Sequence, residues 1–175
     1  GSAWLLADGQ TGEVLAERAS SEPRAMASLT KMMTALVALE SGDPDRVVTV
    51  APAAVAVGES SAGLTRGERI TMRDLVKGLM IGSGNDAAIA IAYAVAGSEA
   101  EFVVRMNEKA RALGLTSTRF ENPHGLDEPG HKSSPRDLLA LARAVMKDPF
   151  LRRLVGERTV TVPGPGGRGT RRLQS

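Results

Sequence analysis

The sequence contains no cysteine, which excludes a disulfide framework, a thiolate nucleophile and a cysteine-ligated zinc site. Aromatic residues are scarce, with three Phe, one Trp and one Tyr in 175 residues, and the formal net charge is only +2. Proteins that bind nucleic acid combine a basic surface with aromatic side chains on which bases stack. We therefore expect no nucleic-acid partner.

Long apolar runs are also missing. Charged residues or glycines interrupt every apolar window before it reaches the roughly 20 residues that a membrane-spanning helix needs. No glycine-rich phosphate-binding motif of the nucleotide-binding types is present, so no nucleotide cofactor is predicted. The length and the 42% hydrophobic content fit one well-packed domain.

Turn chemistry and hydrophobic spacing predict the first elements. An apolar run at 3–7, a turn at 8–12 and a second run at 13–17 indicate a β-hairpin. From Ser28, apolar residues recur at three- and four-residue spacing until Gly42, which predicts a helix of about 14 residues. Ser28 would lie in the first turn of this helix.

Capping patterns at their first residues predict several later helices. The pattern of Ser or Thr followed three residues later by an acid begins helices at Thr71, Ser98 and Ser134. The nearly all-apolar segment 87–96 predicts a central buried helix. The connection 115–133, rich in Asn, Pro, Gly and His, has the length typical of a functional loop.

The last 30 residues predict a short helix and a hairpin. The helix follows Pro149, and strands begin at Thr159 and Thr170 on either side of a Pro/Gly turn. We expect the second arm of this hairpin to be cut short at Ser175, which would leave an unpaired edge. The chain is therefore expected to be incomplete at this end.

Ser28 and Lys31 form the first candidate for chemistry. Side chains three apart on a helix have Cβ atoms roughly 5–6 Å apart, so the lysine amine can reach the serine hydroxyl. Lysine can act as the base for a serine nucleophile if burial and the helix N-terminus lower its pKa. Taken alone, however, this spacing more often marks an ordinary helix start with Ser as the cap.

A second candidate group is Ser83-Gly84-Asn85, between two predicted helices. The Ser83 hydroxyl could relay a proton, and the Asn85 amide could hold Lys31 and a substrate carbonyl. The alternative for both is a helix cap, a position that Ser and Asn favour.

His124 and His131 both lie in the connection 115–133 and leave two further alternatives open. Either could serve a Ser-His-acid triad with Asp127 or Asp137 as the acid. His124, Asp127 and His131 together could bind a metal ion. Since no spacing ties either histidine to Ser28 and nothing fixes a metal geometry, we predict no metal and no cofactor.

The order of the motifs resembles that of the low-molecular-mass penicillin-binding proteins, the serine-type D-alanyl-D-alanine carboxypeptidases. The resemblance covers residues 3 to 162. It rests on four stretches: Asp8-x-x-Thr11-Gly12-x-Val14-Leu15, Ala27-Ser28-Leu29-Thr30-Lys31-Met32-Met33-Thr34-Ala35, Ser83-Gly84-Asn85-Asp86-Ala87-Ala88, and Asn122-Pro123-His124-Gly125-Leu126-Asp127.

The resemblance implies a role for each candidate residue. Ser28 would attack the carbonyl between the terminal D-alanines of a peptidoglycan stem peptide, and Lys31 would accept its proton. Ser83 would return a proton to the leaving amine, and Asn85 would orient Lys31 and the substrate amide. β-Lactam antibiotics would be trapped as slowly hydrolysed acyl-enzymes. The site would be secreted or periplasmic.

The implied fold is α/β (α+β) and β-lactamase/transpeptidase-like, an antiparallel sheet flanked by helices. We expect residues 1–175 to form a single domain of this kind, with a mostly helical lobe at roughly 51–145. The third motif of the family, Lys-Thr-Gly on a late strand, is absent, so the sheet is expected to be incomplete. Attachment to a membrane surface would require the missing part.

Two other functions remain open. In a class A β-lactamase the deacylating Glu follows the second motif, and Glu121-Asn122 falls in about that region. The stretch His124-Gly125-Leu126-Asp127 fits the carboxypeptidases better. A non-catalytic β-lactam sensor or peptidoglycan-binding module would keep the acylation residues without turnover.

Overall fold

The computed structural model describes residues 2–175, which fold into a mixed α/β structure. The strands are β1 (Trp4–Ala7), β2 (Val14–Arg18), β3 (Val47–Thr49), β4 (Arg69–Thr71), β5 (Thr159–Pro163) and β6 (Thr170–Gln174). The α-helices are α1 (Lys31–Glu40), α2 (Met72–Met80), α3 (Asn85–Ala96), α4 (Glu99–Ala112), α5 (Pro135–Val145) and α6 (Pro149–Leu154). Short 3₁₀ turns cover Ala27–Thr30, Pro52–Ala56 and Pro165–Gly167.

The strands pair as antiparallel two-stranded ladders, β1 with β2, β3 with β4 and β5 with β6. The predicted first and last hairpins are therefore confirmed. In the last hairpin all five residues of β6 pair with β5, from Thr159 opposite Gln174 to Pro163 opposite Thr170. Strand β4 was not predicted, since it has three residues and lies beside a region without periodicity.

Helix α3 occupies the centre of the core. Its residues 85–92 are buried, and it packs against α1, α2 and α4. The helix ends at Gly97, whose φ of 81° is the left-handed conformation common after a helix. The predicted central buried helix is confirmed.

Three helices begin at the predicted caps. The side chains of Thr71, Ser98 and Ser134 each accept a hydrogen bond from the backbone N–H three residues later. Each bond satisfies an N–H that has no partner within the helix. The caps fix where α2, α4 and α5 start, and hence where the connections between them run.

The helix predicted from Ser28 has two parts. Ala27–Thr30 form a 3₁₀ turn, and the α-helix begins only at Lys31. The chain enters this turn through Ala27, whose φ of 48° is a conformation that a non-glycine residue seldom adopts. Ser28 therefore lies on a tight turn that leads into α1, while Lys31 is the first residue of α1.

The connection 115–133 is folded against the helices. The Asn107 side chain of α4 bonds the backbone N–H of Phe120 at 3.0 Å and its carbonyl at 2.8 Å. Thr34 of α1 donates to the Pro123 carbonyl at 2.6 Å. Both Phe120 and Thr34 are fully buried. The predicted long connection is thus an ordered loop held on α1 and α4.

Among the described residues, no single helix is both long and apolar enough to cross a membrane. Helices α3 and α4 reach the required length and composition only as a pair that bends by 86° at the break between them.

An ion pair joins the last hairpin to the segment before β4. The Arg171 guanidinium contacts the Glu68 carboxylate with both terminal nitrogens and also donates to the carbonyls of Gly63 and Pro163. The Glu68 side chain is 1% exposed. The same carboxylate also accepts from the Thr65 backbone N–H at 3.0 Å and from the Thr65 hydroxyl at 3.1 Å, but Arg171 is the positive charge paired with it.

We predict that Arg171→Ala lowers the free energy of unfolding by about 3–5 kcal/mol, because it leaves the Glu68 charge buried and unpaired. Arg24→Ala is the control, since the Arg24–Glu22 pair is 49% and 60% exposed. Its loss should cost less than about 1 kcal/mol. Urea denaturation of both variants measures the difference. Equal costs would contradict the buried-pair interpretation.

Candidate active site

Ser28 and Lys31 meet where the 3₁₀ turn joins α1. The Lys31 amine donates to the Ser28 hydroxyl over 3.3 Å and to the His124 backbone carbonyl over 2.7 Å. Lys31 is 3% exposed, whereas Ser28 is exposed. The hydroxyl is therefore open to an incoming molecule, and the amine lies beneath it out of bulk water.

The surroundings of Lys31 favour a neutral amine. Burial lowers the pKa of Lys31 to about 8, against the smaller opposing effect of Glu59. In the described part of the chain no carboxylate forms a salt bridge with this amine. Near neutral pH a much larger fraction of this amine is unprotonated than for an ordinary lysine, and an unprotonated amine can accept a proton from serine.

Ser83 approaches the same hydroxyl from the turn between α2 and α3. Its Oγ donates to Ser28 Oγ over 3.2 Å. Ser83 has a φ of 48°, so the turn holds it in a left-handed conformation. Gly84 follows because a Cβ there would lie 2.6 Å from an Asp86 oxygen and 2.9 Å from Ala62. The structure thus brings together three of the four predicted residues.

The fourth predicted residue, Asn85, is placed differently. It is the first residue of α3 and is 2% exposed, and its amide donates to the Gly58 carbonyl at 3.1 Å. Its backbone N–H bonds the Ser60 carbonyl at 2.8 Å. Within residues 2–175 the hydrogen bond expected from Asn85 to Lys31 is not made, because the side chain turns toward the 58–60 segment. The His124 carbonyl holds Lys31 instead.

Asp86 is a site-supporting residue that the sequence reasoning missed. Its buried carboxylate accepts from the backbone N–H groups of Ala62 at 2.8 Å and Leu64 at 3.0 Å, and from the Ser61 hydroxyl at 2.6 Å. It thereby ties the 61–64 segment to the N-terminus of α3. An acid directly before the predicted apolar helix 87–96 was the available signal, since buried carboxylates need several donors.

His124 contributes its backbone rather than its ring. Its carbonyl accepts from Lys31, and its Nδ1 accepts from the Leu126 N–H at 3.2 Å. Burial and the nearby Lys31 lower the pKa of His124 to about 4. The imidazole is therefore neutral at physiological pH.

The alternative triad is not assembled. Among residues 2–175, neither histidine forms a hydrogen bond with Ser28: His131 contacts Thr30 and the Glu121 N–H, and His124 contacts Leu126. The Asp137 carboxylate accepts from Ser117 and Thr118, each at 2.7 Å, and not from a histidine.

The metal site considered for His124, Asp127 and His131 has no geometric support. Residues 2–175 contain no group of three His, Asp or Glu side chains close enough to bind one ion.

A cavity of about 520 Å³ opens beside the hydroxyl–amine pair. Ser28, Lys31 and Ser83 lie on its wall. The rest of its lining is mostly apolar and includes Met26, Leu29, Met32, Leu79 and Met80. A few polar groups that converge in an apolar concave surface are typical of a site for a small ligand or a peptide end.

Comparison with known proteins places this arrangement in a family. The family model described as D-alanyl-D-alanine carboxypeptidase matches residues 1–161. The chain belongs to the D-alanyl-D-alanine carboxypeptidase family. The D-alanyl-D-alanine carboxypeptidase DacF of Bacillus subtilis is 40% identical over 157 residues, which are 87% of this chain and 40% of that protein. The family resemblance inferred from the motifs is confirmed.

Solved structures of family members share the fold. The D-alanyl-D-alanine carboxypeptidase of Mycobacterium tuberculosis superposes with a TM-score of 0.92 at 34% identity, over 99% of this chain and 65% of that one. Penicillin-binding protein 6B of Escherichia coli superposes with a TM-score of 0.87 at 37% identity, over 99% and 57%. The transpeptidase-like α/β class predicted for the chain is confirmed. The chain spans less than half the length of the Bacillus relative.

We predict that Lys31 titrates with a midpoint near 8, well below the ordinary 10.5. Because the folded pKa is depressed, the unfolded chain binds more protons between these two values, and the contribution of Lys31 to stability rises with pH across that window. NMR detection of the lysine Cε and Nζ signals measures the midpoint, with Lys31→Met to assign the resonance. A midpoint at 10.5 would contradict the buried, unpaired amine.

Proposed function

We propose that this chain carries the acylation centre of a serine D,D-carboxypeptidase, which removes the terminal D-alanine from peptidoglycan stem peptides. The observation that supports it is the position of Ser28 Oγ, which lies 3.3 Å from the Lys31 amine and 3.2 Å from the Ser83 hydroxyl. Family membership supports this choice of substrate class.

The proposed first step forms an acyl-enzyme. Ser28 Oγ attacks the carbonyl carbon of the penultimate D-alanine while its proton passes to neutral Lys31 Nζ. The tetrahedral intermediate then breaks its C–N bond. Ser83 gives its hydroxyl proton to the departing amine and takes a proton from the Lys31 ammonium in return. Free D-alanine leaves, and the rest of the stem peptide is esterified to Ser28.

The proposed second step is hydrolysis. Water attacks the ester carbonyl and gives up a proton to Lys31, which returns that proton to Ser28 Oγ as the C–O bond of the ester breaks. The Ser28 backbone N–H supplies one donor to the oxyanion. The second donor in this family comes from the Lys-Thr-Gly strand, a motif that the 175 residues do not contain. Activity is therefore proposed for the protein that combines this chain with such a strand.

We propose a supporting role for Asn85. Its amide holds the Gly58 carbonyl at 3.1 Å, beside Glu59, whose charge acts on the pKa of Lys31. Asn85 would thus fix the segment next to the amine, and any contact with the substrate amide would need its side chain to turn.

We propose that the site acts outside the cytoplasmic membrane, where this substrate would be found. β-Lactams would acylate Ser28 as substrate mimics. Attachment to the membrane surface through a segment outside residues 1–175 stays a prediction.

The β-lactamase alternative has less support. The candidate Glu121 carboxylate pairs with Arg119 at 2.5 Å, and Glu121 is absent from the lining of the cavity at Ser28. A deacylating carboxylate must reach the water that attacks the acyl-enzyme. The non-catalytic sensor differs from the enzyme in turnover alone, so D-alanine release from a stem-peptide mimic separates them.

We predict that a fluorescent penicillin labels the full-length protein covalently at Ser28. Ser28→Ala should abolish labelling, while Ser98→Ala, at a helix cap away from the cavity, should label like the parent. Gel fluorescence and mass spectrometry of the labelled peptide provide the measurement. Labelling of Ser28→Ala at the parent rate would refute the assignment.

We predict that Ser83→Ala lowers the acylation rate by about 10²–10⁴, the usual contribution of a positioned proton donor. Thermal unfolding checks that the variant is folded. Stopped-flow acylation by a chromogenic β-lactam gives the rate. An unchanged rate would remove Ser83 from the proton path and leave Lys31 as the single proton carrier.

A further inference from the structure

Thr30 stands between the two reacting residues and is fully buried. Its hydroxyl lies 2.8 Å from the Ala27 carbonyl oxygen and 2.7 Å from His131 Nε2. The proposed mechanism uses neither Thr30 nor His131. A fully buried hydroxyl with two partners, one of them across 101 residues of sequence, calls for a physical explanation.

The donors in this group of atoms can be assigned. The Ala27 carbonyl can only accept, so Thr30 gives it the single hydroxyl proton. Thr30 Oγ1 must then accept from His131, which puts the imidazole proton on Nε2. The opposite nitrogen, Nδ1, accepts from the Glu121 backbone N–H at 3.0 Å, as this tautomer requires. The chain of donors runs from Glu121 N–H through His131 and Thr30 to Ala27.

This series of hydrogen bonds ends at the Ala27–Ser28 peptide unit, directly before the nucleophile Ser28. Ala27 has a φ of 48°, a strained conformation for alanine that costs of order 1–3 kcal/mol. Because the peptide bond is planar, the direction of the Ala27 carbonyl fixes the direction of the Ser28 N–H. That N–H is the oxyanion donor in the proposed mechanism, so a hydrogen bond to the carbonyl orients the donor.

The His131 ring is itself held firmly. It is 4% exposed and packs edge-to-face on Phe120, with ring centroids 6.0 Å apart. Burial lowers the pKa of His131, which keeps the ring in the neutral form that the donor chain needs. Charged groups near it are Glu128, Glu121 and Asp127.

We infer that His131 is a positioning residue: through the Thr30 hydroxyl it holds the Ala27 carbonyl and thereby aims the Ser28 backbone N–H and side chain at the reacting carbonyl. This inference rests on the proposed function, since it assigns a purpose in acylation at Ser28. A purely structural role for His131 would predict a loss of stability without a specific loss of rate.

Two substitutions of His131 test the roles of its two ring nitrogens separately. Gln places an N–H donor near the position of Nε2, whereas Asn places an oxygen acceptor near that of Nδ1. His131→Gln should retain most of the acylation rate constant of the full-length protein with a chromogenic β-lactam. His131→Asn should lose about 10- to 100-fold, the cost of misplacing a reacting group by a fraction of an ångström to one ångström.

Two substitutions of Thr30 test the role of its hydroxyl. Thr30→Ser keeps the donor and should keep the rate, whereas Thr30→Val should lose about as much as His131→Asn. Thr34→Val is the matched control, because Thr34 is equally buried and its hydroxyl also bonds the 115–133 loop, at Pro123. The two valine variants should lose similar stability, but only Thr30→Val should show the large fall in rate.

A readout independent of activity is the ¹⁵N NMR signature of His131. Neutral Nε2–H imidazole is expected in the parent, and a proton on Nδ1 would overturn the donor chain. If the parent and Ser28→Ala react alike, the proposed function fails. If the parent reacts only through Ser28 but His131→Asn and Thr30→Val, both folded, match its rate, the positioning role fails while the proposed function stands.

Discussion

The amine of Lys31 is buried against neutral oxygens, and the rest of the site depends on this contact. A lysine in this position would gain most from a carboxylate partner, which would fix its charge and end its use as a base. The chain supplies the His124 carbonyl and the Ser28 hydroxyl instead. Burying this amine costs stability that the rest of the fold must offset, a common balance between stability and activity at functional sites.

The sequence predicted the elements with local signals. Side-chain caps at Thr71, Ser98 and Ser134 and the apolar α3 were found because each signal lies within a few residues of its effect. The start of α1 was misplaced, since apolar spacing does not reveal that residues 27–30 form a 3₁₀ turn entered from a left-handed residue. Strand β4 was not predicted either, because a strand of three residues is too short to show periodicity.

The sequence likewise predicted some features of the candidate site and not others. Ser28, Lys31 and Ser83 were predicted from motifs, and the structure brings them together. The partner of Lys31 was not predicted, because a backbone carbonyl leaves no mark in the residue types around it. Asn85 and Asp86 show the limit for side chains as well. Both are polar residues at a helix start, and only the fold reveals that they hold the neighbouring segments 58–60 and 61–64.

Gly125 links the loop to the turn of Ser28 by close approach. A Cβ at this position would lie 2.1 Å from the Ala27 oxygen, so the two backbones touch without any intervening side chain. A side chain at position 125 would therefore displace the Ala27–Thr30 turn, so the 115–133 loop and this turn fit together only with glycine at their contact. For protein engineering, the smallest transplantable catalytic unit includes both segments, although 93 residues separate Lys31 from His124.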